Sequence, residues 1–325
     1  MSRQVALSLR QAMIHPAAIA TRPEHEERMD RIAGGQAALP ATCGELVQGT
    51  LDGVPCLVSC PITLWATAQI IVDSEPSWQI PADAPKTTQA LRAALEFLGR
   101  TEQGVTLRLS SPIPRGRGYG SSTADIGATL YALGQALGQP LAPADVARLA
   151  VSVEPSDSTM FPGLTLFDHR RGSFYEHLGS APAMNIIVLD PGGEIDTIAF
   201  NRCDHRDRLR HLADQHREAF TLLRHGLRRG DMQAIGQAAT LSARAHQSIL
   251  HNPLLETALS IADDVGALGV CRAHSGTILG LLVDPTRAAV ADVFAYVRRS
   301  LASAVGVACY SLTGGGPQTA RIRIS

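Results

Sequence analysis

The sequence predicts an α+β fold, and three observations carry that expectation. The chain has 325 residues, more than one compact core usually holds, which leaves two intimately packed domains or one large α/β unit. From Gln36 it carries two apolar, β-branched runs on either side of Asp52-Gly53 and then mixes helical and strand-like patterns. Charged amphipathic helices dominate beyond Pro191-Gly192-Gly193, a dense turn signal that reads as a hinge between halves. On this reading residues 1–36 are an N-terminal extension, 37–190 a first domain of mixed sheet and helices, and 191–325 a second domain of helix and sheet.

The elements follow in order. Gln36 to Asp73 is rich in Val, Ile, Leu, Thr and Cys, and Asp52-Gly53 is a two-residue hairpin signal between its strands. Lys86 to Leu98 sets Ala90, Leu91, Ala94, Leu95 and Leu98 on one helical face, and Gly104 to Ser110 alternates like a half-buried strand. Ser111 to Asp125 is a glycine-rich turn, and Ser122 to Leu137 reads as an Ala/Leu-rich buried helix. Pro143 suits the first turn of another helix, which runs to Val153 and stops near Pro155. Strands at Leu164–Asp168, Ser173–His177 and Asn185–Asp190 close the first half. Helices at Asp204–Arg229, Asp231–Leu250 and Asn252–Gly266 then lead to a strand, turn and strand over Gly269–Val283. A helix over Pro285–Val305 and two strands flanking Gly314-Gly315-Gly316 finish the chain.

Composition excludes several functions. Lys+Arg 29 against Asp+Glu 30 gives a net charge of -1, so no broad cationic field exists to hold a nucleic-acid backbone. No apolar run approaches the ~20 residues that span a bilayer, and the first thirty residues lack the order of a secretory signal. The six cysteines form no C-x-x-C pair, which reads as reduced thiols in a cytoplasmic protein. Lys86 is the only lysine, and no glycine-rich loop precedes it. A Walker-type loop is therefore absent, leaving phosphate chemistry to arginine, backbone N–H groups or a metal.

The chemistry concentrates in Pro114 to Asp125, PRGRGYGSSTAD. Gly116, Gly118 and Gly120 let the backbone approach a ligand closely, and the loop feeds into a helix N-terminus, where free N–H groups favour anions. Ser121 and Ser122 stand at helix-capping positions, where a hydroxyl can also hold a phosphate oxygen or a metal. Arg115 and Arg117 supply positive charge. The spacing is G-x-G-x-G, which argues against a dinucleotide fingerprint.

This segment resembles the second motif of the GHMP kinase superfamily, P-x-x-x-G-L-G-S-S-[AT]-A. Pro114, Gly118, Gly120, Ser121, Ser122, Thr123 and Ala124 match, and Tyr119 stands where leucine is usual. Leu39 to Ile62 is similar to the first motif, with Cys43, Gly44 and Glu45 in T-C-G-E-L-V-Q-G, a form resembling the L-threonine kinases of cobalamin synthesis. Gly266 to Val283 resembles the third motif, with His274, Ser275, Gly276 and Thr277 at its turn, and Leu312 to Gln318 is a rival. The resemblance implies a two-domain GHMP-type fold and an ATP-dependent kinase with Mg²⁺ and a small hydroxylated acceptor. It implies ATP over Pro114–Thr123, Mg²⁺ held by Ser122 and Glu154, Asp157 as base, and Cys43, Gly44, Glu45 and Ser275 toward the acceptor. L-Threonine is the acceptor expected from the first motif; L-homoserine or another small hydroxylated metabolite, and a catalytically silent ligand-binding relative, are the alternatives. Read as residues alone, Glu154 closes a helix and Pro155-Ser156 turns the chain, so Glu154 and Asp157 can converge on one pocket.

Overall fold

Asp52 and Gly53 both adopt positive φ, 50° and 81°, as a type I′ turn requires if its flanking strands are to keep their right-handed twist. They join β1 (Ala33–Leu51) to β2 (Val54–Asp73), an antiparallel hairpin paired from Ala33↔Val72 to Leu51↔Val54. The computed structural model describes residues 33–73, 75–193 and 205–323 and builds one α+β sheet structure around this hairpin. The expected extension up to residue 32, and Asp204 at the start of an expected helix, lie outside the described residues.

The next elements are β3 (Trp78–Gln79), α1 (Pro85–Phe97), β4 (Gly104–Ser110), α2 (Ser121–Ala136) and α3 (Pro143–Val153). A 3-10 turn at Ser158–Met160 precedes β5 (Leu164–Phe167), β6 (Tyr175–Gly179) and β7 (Asn185–Asp190). Four helices follow: α4 (Arg206–His211), α5 (Ala213–Arg229), α6 (Met232–His246) and α7 (Leu255–Asp264). The last described elements are β8 (Gly269–Arg272), β9 (Leu279–Val283), α8 (Val290–Ser300), β10 (Gly306–Ser311) and β11 (Gln318–Arg323).

The strand order is β10-β7-β9-β8-β1-β2-β4-β3, with β11 also on β1 and the β5–β6 pair on β2. The sheet runs unbroken across the expected 190/191 boundary. β7, expected to close the first half, lies between β9 and β10 of the second. Two expected helices start later than their periodicity suggests because side chains hold the preceding turns. Asp284 accepts from the Thr286 N–H and hydroxyl, at 2.9 and 2.7 Å, ahead of α8. Asn252 Oδ1 accepts from Leu254 N–H at 3.0 Å ahead of α7.

Three apolar clusters flank the sheet. Five helices divide between two of them: α1, α3 and most of α2 pack on β1, β2 and β4, whereas α5 and α6 pack near the β1–β2 turn and β8. A third cluster joins α7 and α8 to β7, β8 and β9. Every residue of α2 from Thr123 to Gly134 is buried, which explains its all-round apolar sequence. Burial of a side chain such as Ile126 or Leu130 contributes about 1.5–3 kcal/mol, so the start of α2 is fixed rigidly.

Candidate active site

The glycine loop between β4 and α2 is held by its backbone. Thr42 N–H donates to Tyr119 O at 2.8 Å, and Gly44 N–H donates to Gly118 O at 3.2 Å. From the other side Thr277 and Ile278 N–H both donate to Arg117 O, at 2.9 and 3.2 Å. The first contact needs a break in β1, whose register shifts between Thr42 and Glu45 with Gly44 at φ 56°. Gly116, Gly118 and Gly120 all take positive φ. A Cβ on Gly118 would stand 2.2 Å from that of Ala273, and one on Gly276 would stand 2.3 Å from Arg117 O. The first, second and third motif segments are thus interlocked at contact distances that only glycine permits.

Beside the loop lies a cleft of about 440 Å³, within the range of small-molecule sites. The start of α2 lines it, with no acidic residue in the first turn. Ser122 donates its hydroxyl to Oε1 of Glu154, and Lys86 Nζ lies 2.5 Å from Oε2 of the same carboxylate. Glu154 follows the last residue of α3 and Lys86 sits in the first turn of α1, so three helix ends meet here.

Deeper in, Asp157 N–H donates to Thr123 Oγ1 at 3.0 Å, and the Asp157 carboxyl lies where a Cβ on Gly120 would be 2.5 Å from Oδ2. The chain beyond it is pinned to β2 by a reciprocal pair: Ser158 N–H donates to Ser59 Oγ at 3.0 Å, and Ser59 N–H to Ser158 Oγ at 3.1 Å. Withdrawal from water pushes the Asp157 carboxyl up to about 6, opposed by hydrogen bonding to Thr123 and Glu45 and reinforced by the charge of Glu154. Glu45, 3% exposed, is also pushed up, first by burial and then by the charge of Asp157.

Comparison with known proteins shows the family of the chain. Residues 86–161 match the GHMP kinases N terminal domain and residues 223–303 the GHMP kinases C terminal domain. The chain is 33% identical over 251 residues to an L-threonine kinase of Citrobacter freundii, covering 77% of this chain and 87% of that one. The chain belongs to the GHMP kinase family. An L-threonine kinase of Salmonella typhimurium is 32% identical over 258 residues, covering 79% of this chain and 85% of that one. Homoserine kinase from Cytophaga hutchinsonii shares the fold, with a TM-score of 0.69 at 18% identity over 88% of this chain and 97% of that one. As a GHMP kinase the chain is an ATP-dependent phosphotransferase. Among its described residues no helix is long and apolar enough to cross a membrane.

This GHMP kinase departs from the sequence expectations at several residues. Ser121 and Ser122 do not cap α2: the cap position is Gly120 at φ 67°, without a side-chain bond, which leaves the Ser122 hydroxyl to Glu154. Cys43 is 0% exposed, with its sulfur near that of Cys271 at Gly280; the break at Gly44 turns it into the core while Glu45 lines the cleft. Gly44 itself serves as a backbone anchor. Arg117 points away and pairs with Asp190 at 3.1 Å, where Tyr119 OH also donates at 3.3 Å. Arg115 lines the cleft near Asp83 and Asp125, and Pro114 precedes the lining residues. Ser275 lines the cleft, whereas the rival Gly314–Gly316 turn packs on Thr159 and Gly163. Lys86, set aside for want of a glycine loop before it, is on the cleft wall, as are His169 and His274. His274 stands at the third-motif turn, whereas only tertiary contact reveals Lys86 and His169.

Proposed function

We propose that this GHMP kinase transfers the γ-phosphoryl group of ATP to the side-chain hydroxyl of L-threonine, giving O-phospho-L-threonine and ADP. The observation that carries the reading is the convergence of the α2 start, the Ser122–Glu154–Lys86 cluster and Asp157 on one cleft. Similarity to two L-threonine kinases supports the choice of acceptor.

Phosphoryl transfer asks a protein mainly to position its reactants and neutralise charge. Backbone N–H groups at the start of α2 and the Lys86 ammonium attract the polyphosphate. The Ser122 hydroxyl and Glu154 carboxylate are adjacent hard oxygen donors, a set that suits Mg²⁺. When bound there, Mg²⁺ would neutralise phosphate charge. Asp157, ionised at neutral pH, takes the hydroxyl proton as that oxygen bonds to the γ-phosphorus and ADP departs. A base so placed contributes typically ~10²–10⁴ in rate. Glu45 faces the acceptor's ammonium group. The product is chemically the precursor of the aminopropanol linker of cobalamin, and dependence on ATP calls for a cytoplasmic enzyme.

The test is ADP release by the purified full chain with L-threonine, L-homoserine and L-serine. L-Threonine is expected to give the highest kcat/KM, by at least about 10-fold over the analogues. A preference for L-homoserine would reassign the acceptor, and no release above background with any of them would leave a silent ligand-binding relative.

A further inference from the structure

The proposed acceptor carries an ammonium and a carboxylate, and the acidic wall of Glu45 and Asp157 accounts for only one of them. We propose that His169 binds the acceptor's carboxylate, at the inner end of the cleft, through an N–H of its imidazole. The inference rests on the reading of this chain as an amino-acid kinase.

His169 stands on the inner wall with Glu45, Asp157, His274 and Ser275. It is 3% exposed, and its Nε2 is buried without a hydrogen-bond partner. Glu45 Oε2 is buried in the same condition. Leaving such atoms unpaired costs free energy that a ligand can return. One of these two atoms belongs to an acid and one to an imidazole, so among the cleft's buried polar groups a zwitterion suits both. A plain alcohol satisfies one.

The ring is also firmly placed. His169 follows Asp168, whose carboxylate accepts from the N–H of Arg170, Arg171 and Ser173, at 3.2, 3.1 and 3.3 Å, and from the Ser173 hydroxyl at 2.6 Å. The His169 carbonyl accepts from Ser156 N–H at 3.0 Å, tying this loop to the residue beside Asp157. His274 packs edge-on, with ring centroids 4.8 Å apart. Its Nδ1–H donates to Gln48 Oε1 at 2.6 Å, and the Gln48 amide donates to Arg272 O at 3.4 Å. The neutral His274 ring is thereby fixed with Nε2 as an acceptor, which leaves the donor role to His169.

The experiment compares L-threonine with (R)-1-amino-2-propanol, the same molecule without its carboxylate, as substrate or as competitive inhibitor of the full-length enzyme. Wild type is expected to prefer L-threonine on the order of 10²-fold. His169→Ala should raise the L-threonine KM by about 10–100-fold, with kcat and the ATP KM within about 3-fold, and should leave the amino alcohol unaffected. His169→Asn, which restores an N–H donor, should recover part of the preference. A His169→Ala enzyme that keeps the wild-type preference, or weakens both ligands equally, overturns the inference. So does loss of the preference in Arg170→Ala, whose exposed cation acts on His169, in place of His169→Ala. A wild-type enzyme without activity on L-threonine fails at the functional reading itself and takes this inference with it.

Discussion

Ser122, at the start of α2, donates its hydroxyl to Oε1 of Glu154 at the end of α3. Two helix ends thus present a pair of hard oxygen donors to the cleft. Glu154→Gln is expected to weaken Mg²⁺-dependent nucleotide binding by at least the ~10–100-fold that loss of a supporting partner costs a metal site. Ser122→Ala should act in the same direction. Calorimetric titration with ATP in the presence and absence of Mg²⁺ measures both, and unchanged Mg²⁺ dependence would reassign the pair.

Lys86 occupies the other oxygen of Glu154. Since it is the only lysine, its chemistry can be read without interference from other side chains. Lys86→Met is predicted to lower kcat/KM for ATP by roughly 10–100-fold, the value of one charge-assisted hydrogen bond. Amine-directed acylation at Lys86, followed by mass spectrometry, should inactivate the enzyme, and ATP should protect it.

The raised carboxyl of Asp157 sets a pH dependence. A base must be ionised, so kcat/KM should rise with pH through about 6. For stability the sign is opposite. The folded chain holds a proton that the unfolded chain releases, so this contribution is fully present below the ordinary 3.8 and is lost as pH rises to about 6. Buried imidazoles pushed down, such as His169 to about 3 and His216 to about 4, act the other way in the same window. The difference between wild type and Asp157→Asn in urea unfolding from pH 4 to 7 isolates the carboxyl. Asp157→Asn should gain relative stability as pH rises.

Gly118 is locked by both conformation and contact. Its φ is 98°, and a Cβ would stand 2.2 Å from the Cβ of Ala273. Gly118→Ala should destabilise the chain by more than about 1 kcal/mol and raise the ATP KM by about 10-fold or more, because the loop must part from the third-motif turn. Thermal unfolding and steady-state kinetics on the same preparation check this.

Much of the fold was legible because it lives in local chemistry. Asp52-Gly53 announced its turn, Pro143 the start of α3, and the alternation over Gly104–Ser110 matches β4. Partner choice in the sheet carries no such signal, so the pairing of β7 with β9 and β10 could not be read from its residues. Cys43 and Glu45 have the same strand parity, and only the break at Gly44 sends one into the core and the other to the cleft. Lys86 and His169 lack a motif altogether. Their proximity to Glu154 and Asp157 arises from packing of α1 and the turn after β5, which spacing along the chain does not encode.

Asp157 is proposed to serve the acceptor hydroxyl in the same cleft where the start of α2 would receive ATP. Rapid-quench measurement of O-phospho-L-threonine formation by Asp157→Asn, with ATP affinity measured in parallel, tests it most directly. ATP binding is expected within about 3-fold of wild type, with phosphoryl transfer slowed by about 10²–10⁴. Transfer at the wild-type rate would contradict it.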